Sequence, residues 1–192
     1  HYLAHNVGNM ISYQNISREL GLSSLSVRKY INALEKSYLV SLVPPFYRNK
    51  LKEIVKQHKL YFIDTGMRNA IANNFQIQQE TKGAMFENYV FTELIKAGKD
   101  IRYWRSKGDA EVDFVVQEGS ELIPIEVKIR ADKRGAAGRS LNSFIASYKP
   151  KRALVVFLDG ESGAVRRRGC TISVTNVPGM LTLLKRKEST VQ

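Results

Sequence analysis

The stretch Glu111-Val-Asp-Phe-Val-Val-Gln-Glu-Gly-Ser-Glu-Leu-Ile-Pro-Ile-Glu-Val-Lys128 predicts a β-hairpin with a short central turn. The glycine-first pair Gly119-Ser120 suits a two-residue type II′ turn, whose first position needs a positive φ. With these two residues at the turn, the register of the hairpin follows, because the turn fixes which residues face each other. Asp113 is then predicted to lie directly across from Glu126 on the neighbouring strand.

The two faces of this hairpin differ in chemistry, because side chains alternate across a strand. Glu111 and Lys128 form the next facing pair, on the same face as Asp113 and Glu126. The opposite face is apolar along both strands and is expected to pack on a core: Val112, Phe114, Val116, Ile123, Ile125 and Val127.

Two facing carboxylates repel each other across a hairpin, and a bound cation would remove that cost. Mg²⁺ takes one or two carboxylates together with waters and phosphate oxygens. We therefore expect Asp113 and Glu126 to bind Mg²⁺ or Mn²⁺, with Lys128 holding an attacking water or stabilising a pentavalent phosphorane. The structural alternative is an ordinary cross-strand ion pair between Glu111 and Lys128.

The elements around the hairpin are typical of an α/β domain. The apolar spacing predicts a helix over Ala84–Lys96, where Glu87 lies near the edge of the buried stripe and could add a ligand or an outer acceptor. A strand is predicted at Ile101–Arg105 and a helix at Ser140–Tyr148. The run Arg152–Leu158, rich in Val and Leu without alternation, predicts a buried central strand.

Residues 10–37 predict two helices joined by a tight turn. Ser12 is the expected N-cap of the first helix and Gly21 closes it. Ser23 or Ser24 can cap the second helix. Its expected buried stripe consists of Val27, Tyr30, Ile31 and Leu34.

A basic segment follows these helices and predicts a hairpin with a charged loop. The strands are expected at Tyr38–Val43 and Leu60–Ile63. Helix-turn-helix followed by a basic hairpin is the winged-helix pattern, which serves in DNA binding or in protein–protein packing. The candidate nucleic-acid contacts in the chain are Arg28, Lys29, Asn32, Arg48, Lys50, Lys52 and Arg139.

Charge and hydropathy narrow the class of protein. The 192-residue chain carries a net charge of +12 and has a pI of about 9.8, which favours polyanionic partners. The longest apolar run, Ala153–Leu158, is too short to span a bilayer. Cys170 is the only cysteine, so internal disulfides and cysteine-based zinc sites are excluded. We expect a cytoplasmic protein without a membrane partner.

Several motifs of the chain resemble those of one protein family. Gly83-x-x-Phe-Glu-Asn88, Tyr103-Trp-Arg105, Glu111-Val-Asp-Phe-Val115 and Ile123-Pro-Ile-Glu-Val-Lys128 together resemble the C-terminal domain of prokaryotic AAA-type ATPases. That domain is similar to a divergent member of the PD-(D/E)xK nuclease superfamily. Lys59-Leu-Tyr-Phe-Ile-Asp-Thr-Gly66 resembles the motif that ends the winged helix of these ATPases.

The resemblance implies an α/β protein with two domains. A winged helix-turn-helix domain would span residues 1–80, and a restriction-endonuclease-like domain with a mixed central sheet would span residues 81–192. The superfamily's metal and catalytic positions would be Asp113, Glu126 and Lys128, with Glu87 as the acidic residue of the first core helix.

By the same resemblance, the chain is expected to be the DNA-interacting C-terminal module of an AAA-type ATPase, with Mg²⁺-dependent phosphodiester hydrolysis. The ATPase core would belong to the same longer chain, and oligomers are compatible with this arrangement. ATP itself is not expected to bind these residues, because they contain no Gly-x-x-x-x-Gly-Lys-Ser/Thr loop. The alternative is a catalytically silent regulatory or protein-interaction module of that ATPase.

Overall fold

The computed structural model describes residues 1–47, 57–76, 78–131 and 137–185. Over these residues the protein is mixed α/β, with one two-stranded and one six-stranded sheet. The chain forms two compact units, His1–Thr92 (unit 1) and Glu93–Gln192 (unit 2). The sequence places its domain boundary after residue 80, a little before the end of unit 1.

Unit 1 contains helices capped by the predicted residues. Ser12 accepts a hydrogen bond from the backbone N–H of Asn15 at 3.3 Å, and Gly21 closes that helix with a φ of 64°. Ser23, rather than Ser24, caps the next helix by accepting from the N–H of Ser26 at 3.0 Å. The helices are α1 Tyr2–His5, α2 Tyr13–Leu20, α3 Ser24–Lys36, α4 Thr65–Ala72 and α5 Lys82–Lys96, the last of which continues into unit 2.

The buried stripe of α3 is narrower than the sequence predicts. Val27 and Ile31 are buried and Leu34 is half-buried, but Tyr30 is 61% exposed. At roughly 100° per residue, Tyr30 lies about 60° around the helix from Val27, on the flank of the stripe. The prediction that Tyr30 is a core residue is therefore wrong.

Strands β1 Val40–Val43 and β2 Lys59–Phe62 form the predicted antiparallel pair. The predicted first strand began too early, because Tyr38 has a φ of 56° and is 81% exposed. The left-handed backbone of Tyr38 closes α3, where the N–H of Leu39 donates to the carbonyl of Leu34. The turn residue therefore belongs to the helix end.

Residues 8–11 form a further edge along β2 that the sequence analysis missed. The N–H of Gly8 donates to the carbonyl of Leu60 at 2.8 Å, and the N–H of Leu60 donates to the carbonyl of Asn9 at 3.2 Å. An antiparallel bridge joins Met10 to Lys59. This segment is too short to show a period of two, so only the fold reveals its pairing.

Unit 2 is built on a six-stranded mixed sheet in the order β3-β4-β5-β6-β8-β7. The first three strands are antiparallel, β5, β6 and β8 are parallel, and β7 is antiparallel to β8. The strands are β3 Ile101–Arg105, β4 Glu111–Glu118, β5 Glu121–Ala131, β6 Arg152–Gly160, β7 Gly163–Arg167 and β8 Cys170–Thr175.

The β4–β5 hairpin has the register that its turn predicts. Pairs run from Glu118 opposite Glu121 to Phe114 opposite Ile125. Gly119 has a φ of 59°, whereas Ser120 is not among the positive-φ residues, as a type II′ turn requires. The sequence prediction of the turn and its register is confirmed over these five pairs.

Two helices of unit 2 pack on this sheet. Helix α6 Arg139–Tyr148 contacts β4 and β5, and helix α7 Val177–Lys185 contacts β6. Trp104 of β3 meets the ring of Phe144 edge-on, with 5.3 Å between the ring centroids. The apolar face of the hairpin is buried as predicted, apart from a half-buried Val127.

Within the part of the chain that the structure describes, every helix is too short or too polar to cross a bilayer.

Candidate metal site

The candidate site lies where the β4–β5 ladder ends. The last pair of the ladder is Phe114 opposite Ile125. One residue further, the Oδ2 atom of Asp113 accepts a hydrogen bond from the backbone N–H of Val127 at 2.7 Å. The Asp113 side chain is thereby fixed against the main chain of β5, beside the Glu126 peptide.

Glu126 is the buried acid of the site, with 4% of its surface exposed. Its Oε1 atom lies 2.6 Å from Nζ of Lys128. Its Oε2 atom is buried and has no hydrogen-bond partner among the described residues. A buried carboxylate oxygen without a donor costs free energy and calls for an explanation such as a bound ion.

Lys128 is held in its charged form by these acids. Burial of its ammonium group lowers the pKa, but the hydrogen bond to Glu126 and the negative charges of Glu126 and Asp113 outweigh burial and raise it above the ordinary value. The Lys128 side chain is 47% exposed, so the ammonium group also reaches solvent. At neutral pH Lys128 is therefore a cation that can donate hydrogen bonds to an incoming ligand.

The start of helix α6 forms a wall of the site. A β-carbon added to Gly138, the N-cap of α6, would lie 2.9 Å from Oε1 of Glu126 and 3.5 Å from Oε2. The hydroxyl of Ser140 accepts a hydrogen bond from the backbone N–H of Glu111 at 3.1 Å, which ties the first turn of α6 to β4. The helix start therefore touches both strands of the site.

Glu111 takes a cation from the neighbouring strand. The Nη1 atom of Arg105 lies 3.5 Å from Oε2 of Glu111, and Arg105 pairs with Glu111 in the β3–β4 ladder. Lys128 forms its ion pair with Glu126, on its own strand. Glu111 and Lys128, which the hairpin register sets opposite each other, thus have separate ion-pair partners.

Glu87 lies in unit 1, where two donors bind one oxygen of its carboxylate. The Oε1 atom accepts from Nζ of Lys59 at 3.1 Å and from the hydroxyl of Tyr61 at 2.5 Å. Lys59 is only 3% exposed. A β-carbon added to Gly8 would lie 3.5 Å from the same Oε1 atom. Glu87 therefore neutralises a buried lysine of β2.

Asn88, the residue after Glu87, clamps the main chain of the same strand. Its Oδ1 atom accepts from the N–H of Phe62 at 2.8 Å, and its Nδ2 atom donates to the carbonyl of Phe62 at 3.0 Å. Asp64, further along the same motif, caps α4 by accepting from the N–H of Met67 at 2.6 Å. The two motifs at residues 59–66 and 83–88 are therefore parts of one network.

The candidate nucleic-acid residues are exposed where the structure describes them. Arg28, Lys29 and Asn32 lie on the solvent side of α3, and the Arg28 guanidinium stands 5.3 Å from the centroid of the Tyr13 ring. Arg139, the first residue of α6, is exposed as well. The remaining candidates, Arg48, Lys50 and Lys52, lie outside the described residues.

Some residues of these two networks were not assigned roles from the sequence. Gly138 and Ser140 were missed because their importance depends on contacts with Glu126 and Glu111, which are distant in sequence. A weak indication existed for Lys59, since a lysine within an apolar strand needs an acidic partner when it is buried. A metal ion at Asp113 and Glu126 would need waters or ligand oxygens, since no cluster of three His, Cys, Asp or Glu occurs among residues 1–47, 57–76, 78–131 and 137–185.

Uncharacterized proteins of two mycobacteria are similar to this chain. The relative from Mycobacterium tuberculosis is 27% identical over 161 residues, and so is the relative from Mycobacterium bovis. Each match covers 81% of this chain but only 36% of the relative. The chain thus spans about a third of the length of these curated relatives.

Two family models match the chain. Residues 1–78 match the domain of unknown function DUF8612. Residues 82–178 match the domain of unknown function DUF4143, which is found in C-terminal regions associated with AAA-type ATPases. Because the second match covers half of the chain, the chain belongs to the DUF4143 family.

Proposed function

We propose that unit 2 hydrolyses phosphodiester bonds in nucleic acid with the help of Mg²⁺ or Mn²⁺. The observation that carries this proposal is the buried Oε2 atom of Glu126, which lacks a partner among the described residues. Buried acceptors in folded proteins rarely lack a partner, since a buried acceptor without a donor costs about 1–3 kcal/mol. A divalent cation is the simplest partner that would satisfy it.

The residues present fit such an ion. Asp113 and Glu126 would hold it, and this pair matches the one or two carboxylates that Mg²⁺ takes in phosphate-handling sites. When bound, the ion would lower the pKa of a bound water and polarise the phosphate. Asp113 lies beside the Glu126 peptide, since its Oδ2 atom accepts a hydrogen bond from the Val127 N–H.

Lys128 would act as a donor and not as a base. In the absence of a bound ion its pKa is raised by Glu126 and Asp113 against the effect of burial, which favours the protonated side chain, a hydrogen-bond donor. The ammonium group carries three N–H donors, one of which binds Glu126. The others can orient the water or bind a phosphate oxygen, where they would stabilise the charge that develops in the transition state.

The test is a cleavage assay on branched, single-stranded and duplex DNA with Mg²⁺, Mn²⁺ or EDTA. Wild type should cleave at least one substrate only with metal, and Asp113→Asn and Lys128→Ala should abolish cleavage. A Lys151→Ala variant, which changes an exposed lysine next to β6, serves as the control. Cleavage in EDTA, or cleavage that survives in Asp113→Asn, would contradict the proposal.

Unit 1, in the same proposal, is a winged-helix domain that binds nucleic acid. Its order of elements supports this: α1, the short edge at residues 8–11, α2, α3, then β1 and β2. A winged helix has this order of helices and strands. The second helix of its helix-turn-helix, which would be α3 here, reads DNA. Arg28, Lys29 and Asn32 are exposed on α3, where such contacts would be made.

Salt dependence tests this part of the proposal. The logarithm of the DNA affinity should fall with the logarithm of salt concentration, with a slope of roughly −0.9 per phosphate contact. Arg28→Ala and Lys29→Ala should each reduce that slope by about one. Lys36→Ala, at the C-terminal end of the same helix, should leave it unchanged. Equal slopes in all variants would point to a protein interface instead.

A catalytically silent module is the second candidate, and one observation favours it. Oδ2 of Asp113 and Oε1 of Glu126 already have hydrogen-bond or ion-pair partners from the chain itself. In that case the site is a charge network that stabilises the fold, and Mg²⁺ would neither bind nor raise the melting temperature. Calorimetric titration with Mn²⁺ separates the two candidates before any substrate is known.

The place of the chain in a larger protein is also a proposal. Since the mycobacterial relatives are about three times as long as their match to this chain, we propose that units 1 and 2 form the C-terminal module of an AAA-type ATPase. DNA that binds the module should then change the rate of ATP hydrolysis by the complete protein. An ATPase rate that is the same with and without DNA would argue against coupling.

A further inference from the structure

Gly138 occupies a position whose backbone does not require glycine. Its φ of −63° and ψ of 172° are extended values that any residue adopts. Glycine is needed there because a side chain has no room: an added β-carbon would lie 2.9 Å from Oε1 of Glu126 and 3.5 Å from Oε2. Real β-carbons essentially never come that close to another heavy atom.

The start of α6 is held in place by ties that do not involve Glu126. Ser140 accepts from the N–H of Glu111 at 3.1 Å. The Nδ2 atom of Asn142 donates to the carbonyls of Ala137 at 2.9 Å and of Gly138 at 3.1 Å. Because the Ser140–Glu111 hydrogen bond ties the helix start to β4, an added carbon at Gly138 would displace the end of the Glu126 side chain instead.

The same contact sets the electrostatic environment of Glu126. The first N–H groups of a helix have no intrahelical acceptor and carry a partial positive charge, which attracts a nearby carboxylate oxygen. The N-cap of the ten-residue helix α6 has no side-chain cap. Oε2 of Glu126, buried and without a partner among the described residues, is thus kept beside a positive helix end with its lone pairs available.

We infer that Gly138 is a positioning residue of the metal site: the missing side chain lets the start of α6 stand against Glu126 and orient its carboxylate toward a divalent cation. This inference rests on the proposed function, because it assigns a residue to the same site. Gly138 touches neither metal nor substrate and acts only through Glu126.

The test uses two substitutions that separate space from helix capping. Gly138→Ala adds a β-carbon and removes a tolerated N-cap, whereas Gly138→Ser adds the same carbon but supplies a favourable cap. Both variants should bind Mn²⁺ roughly 10- to 100-fold more weakly than wild type, the usual effect of disturbing a residue behind a metal ligand. Gly108→Ala is the matched control, because its β-carbon would lie 3.9 Å from the nearest atom, Oγ of Ser106.

Mn²⁺ binding is measured by calorimetric titration, and melting in EDTA reports on the fold. The inference predicts that Gly138→Ser melts in EDTA like wild type yet binds Mn²⁺ weakly. If Gly138→Ser binds Mn²⁺ as tightly as wild type, Gly138 is not a positioning residue, although the metal site stands. If wild type and Gly108→Ala bind no Mn²⁺, the proposed function fails, and this inference fails with it.

Discussion

The two units each contain a buried glutamate paired with a lysine, and the two pairs differ in how completely they are satisfied. In unit 1, Glu87 binds Lys59 at 3.1 Å and also accepts from Tyr61, while both charged side chains are largely buried. In unit 2, Glu126 binds Lys128 at 2.6 Å, but the lysine is half exposed and Oε2 of the glutamate lacks a partner among the described residues.

This difference separates a structural ion pair from a candidate site. The Lys59–Glu87 pair is closed, since the lysine is almost fully buried and its partner also accepts a hydrogen bond from a neighbouring hydroxyl. The Glu126–Lys128 pair is open, because a ligand can reach the lysine and Oε2 of Glu126 has no donor within the described part of the chain. Removing a member should therefore cost stability in unit 1 and ligand binding in unit 2.

Glu87→Gln should give the largest effect on stability. The neutral amide leaves the buried Lys59 ammonium without a counter-charge, and breaking a buried pair in this way costs about 3–5 kcal/mol. Urea unfolding followed by circular dichroism measures the change. Mn²⁺ affinity should stay at the wild-type value, which contrasts with the catalytic role that the family resemblance implies for Glu87.

The control for this prediction is Glu93→Gln in the same helix. Glu93 pairs with Lys96 at 2.9 Å, but this lysine is mostly exposed, so the pair should contribute less than about 0.5 kcal/mol. If Glu87→Gln is as stable as Glu93→Gln, the Lys59–Glu87 pair is not the closed structural element described above. Weaker Mn²⁺ binding by Glu87→Gln would restore the metal role.

Tyr61→Phe should have an intermediate effect on unit 1. The change removes the hydrogen bond to Glu87 but retains the ring, which stacks on Phe91 with 4.6 Å between centroids. The expected loss is about 1 kcal/mol in the free energy of unfolding, the usual value for one hydrogen bond. Tyr89→Phe, on an exposed tyrosine of α5, should cost much less in the same urea series.

The same two pairs show what could be predicted from the sequence and what could not. The register around Asp113 and Glu126 was predictable because the Gly119-Ser120 turn is local and fixes the strands that flank it. The partners of Glu87 were not predictable in this way, since Lys59 lies 28 residues away in the chain and only the packing of α5 against β2 brings them together. Gly138 was missed for the same reason.

Asp113→Asn should separate metal binding from stability in unit 2. The asparagine retains an oxygen for the Val127 N–H and loses a charge that repels Glu126, so the unfolding free energy in EDTA should rise by roughly 0.2–1 kcal/mol or stay unchanged. Mg²⁺ should stabilise wild type in thermal melts and leave the variant unaffected. A variant that melts clearly lower in EDTA, with no Mg²⁺ effect on either protein, would make the site purely structural.

Lys128→Met should change how stability depends on pH, and this is the smallest effect because the lysine is half exposed and screened by solvent. The pKa of Lys128 is raised in the folded protein, so the native state binds this proton more tightly than the unfolded chain does. The contribution of Lys128 to stability is therefore fully present below the ordinary pKa of 10.5 and is lost as the pH rises through the folded-state pKa.

The melting temperatures of wild type and Lys128→Met in EDTA should differ by a constant amount near neutral pH and converge above pH 10.5. Lys151→Met, which removes an exposed lysine of the same unit, corrects for general alkaline unfolding. If the melting temperatures of the two proteins instead fall in parallel through that range, the charge of Lys128 is not coupled to Glu126. The description of Glu126 and Lys128 as an ion pair would then be wrong.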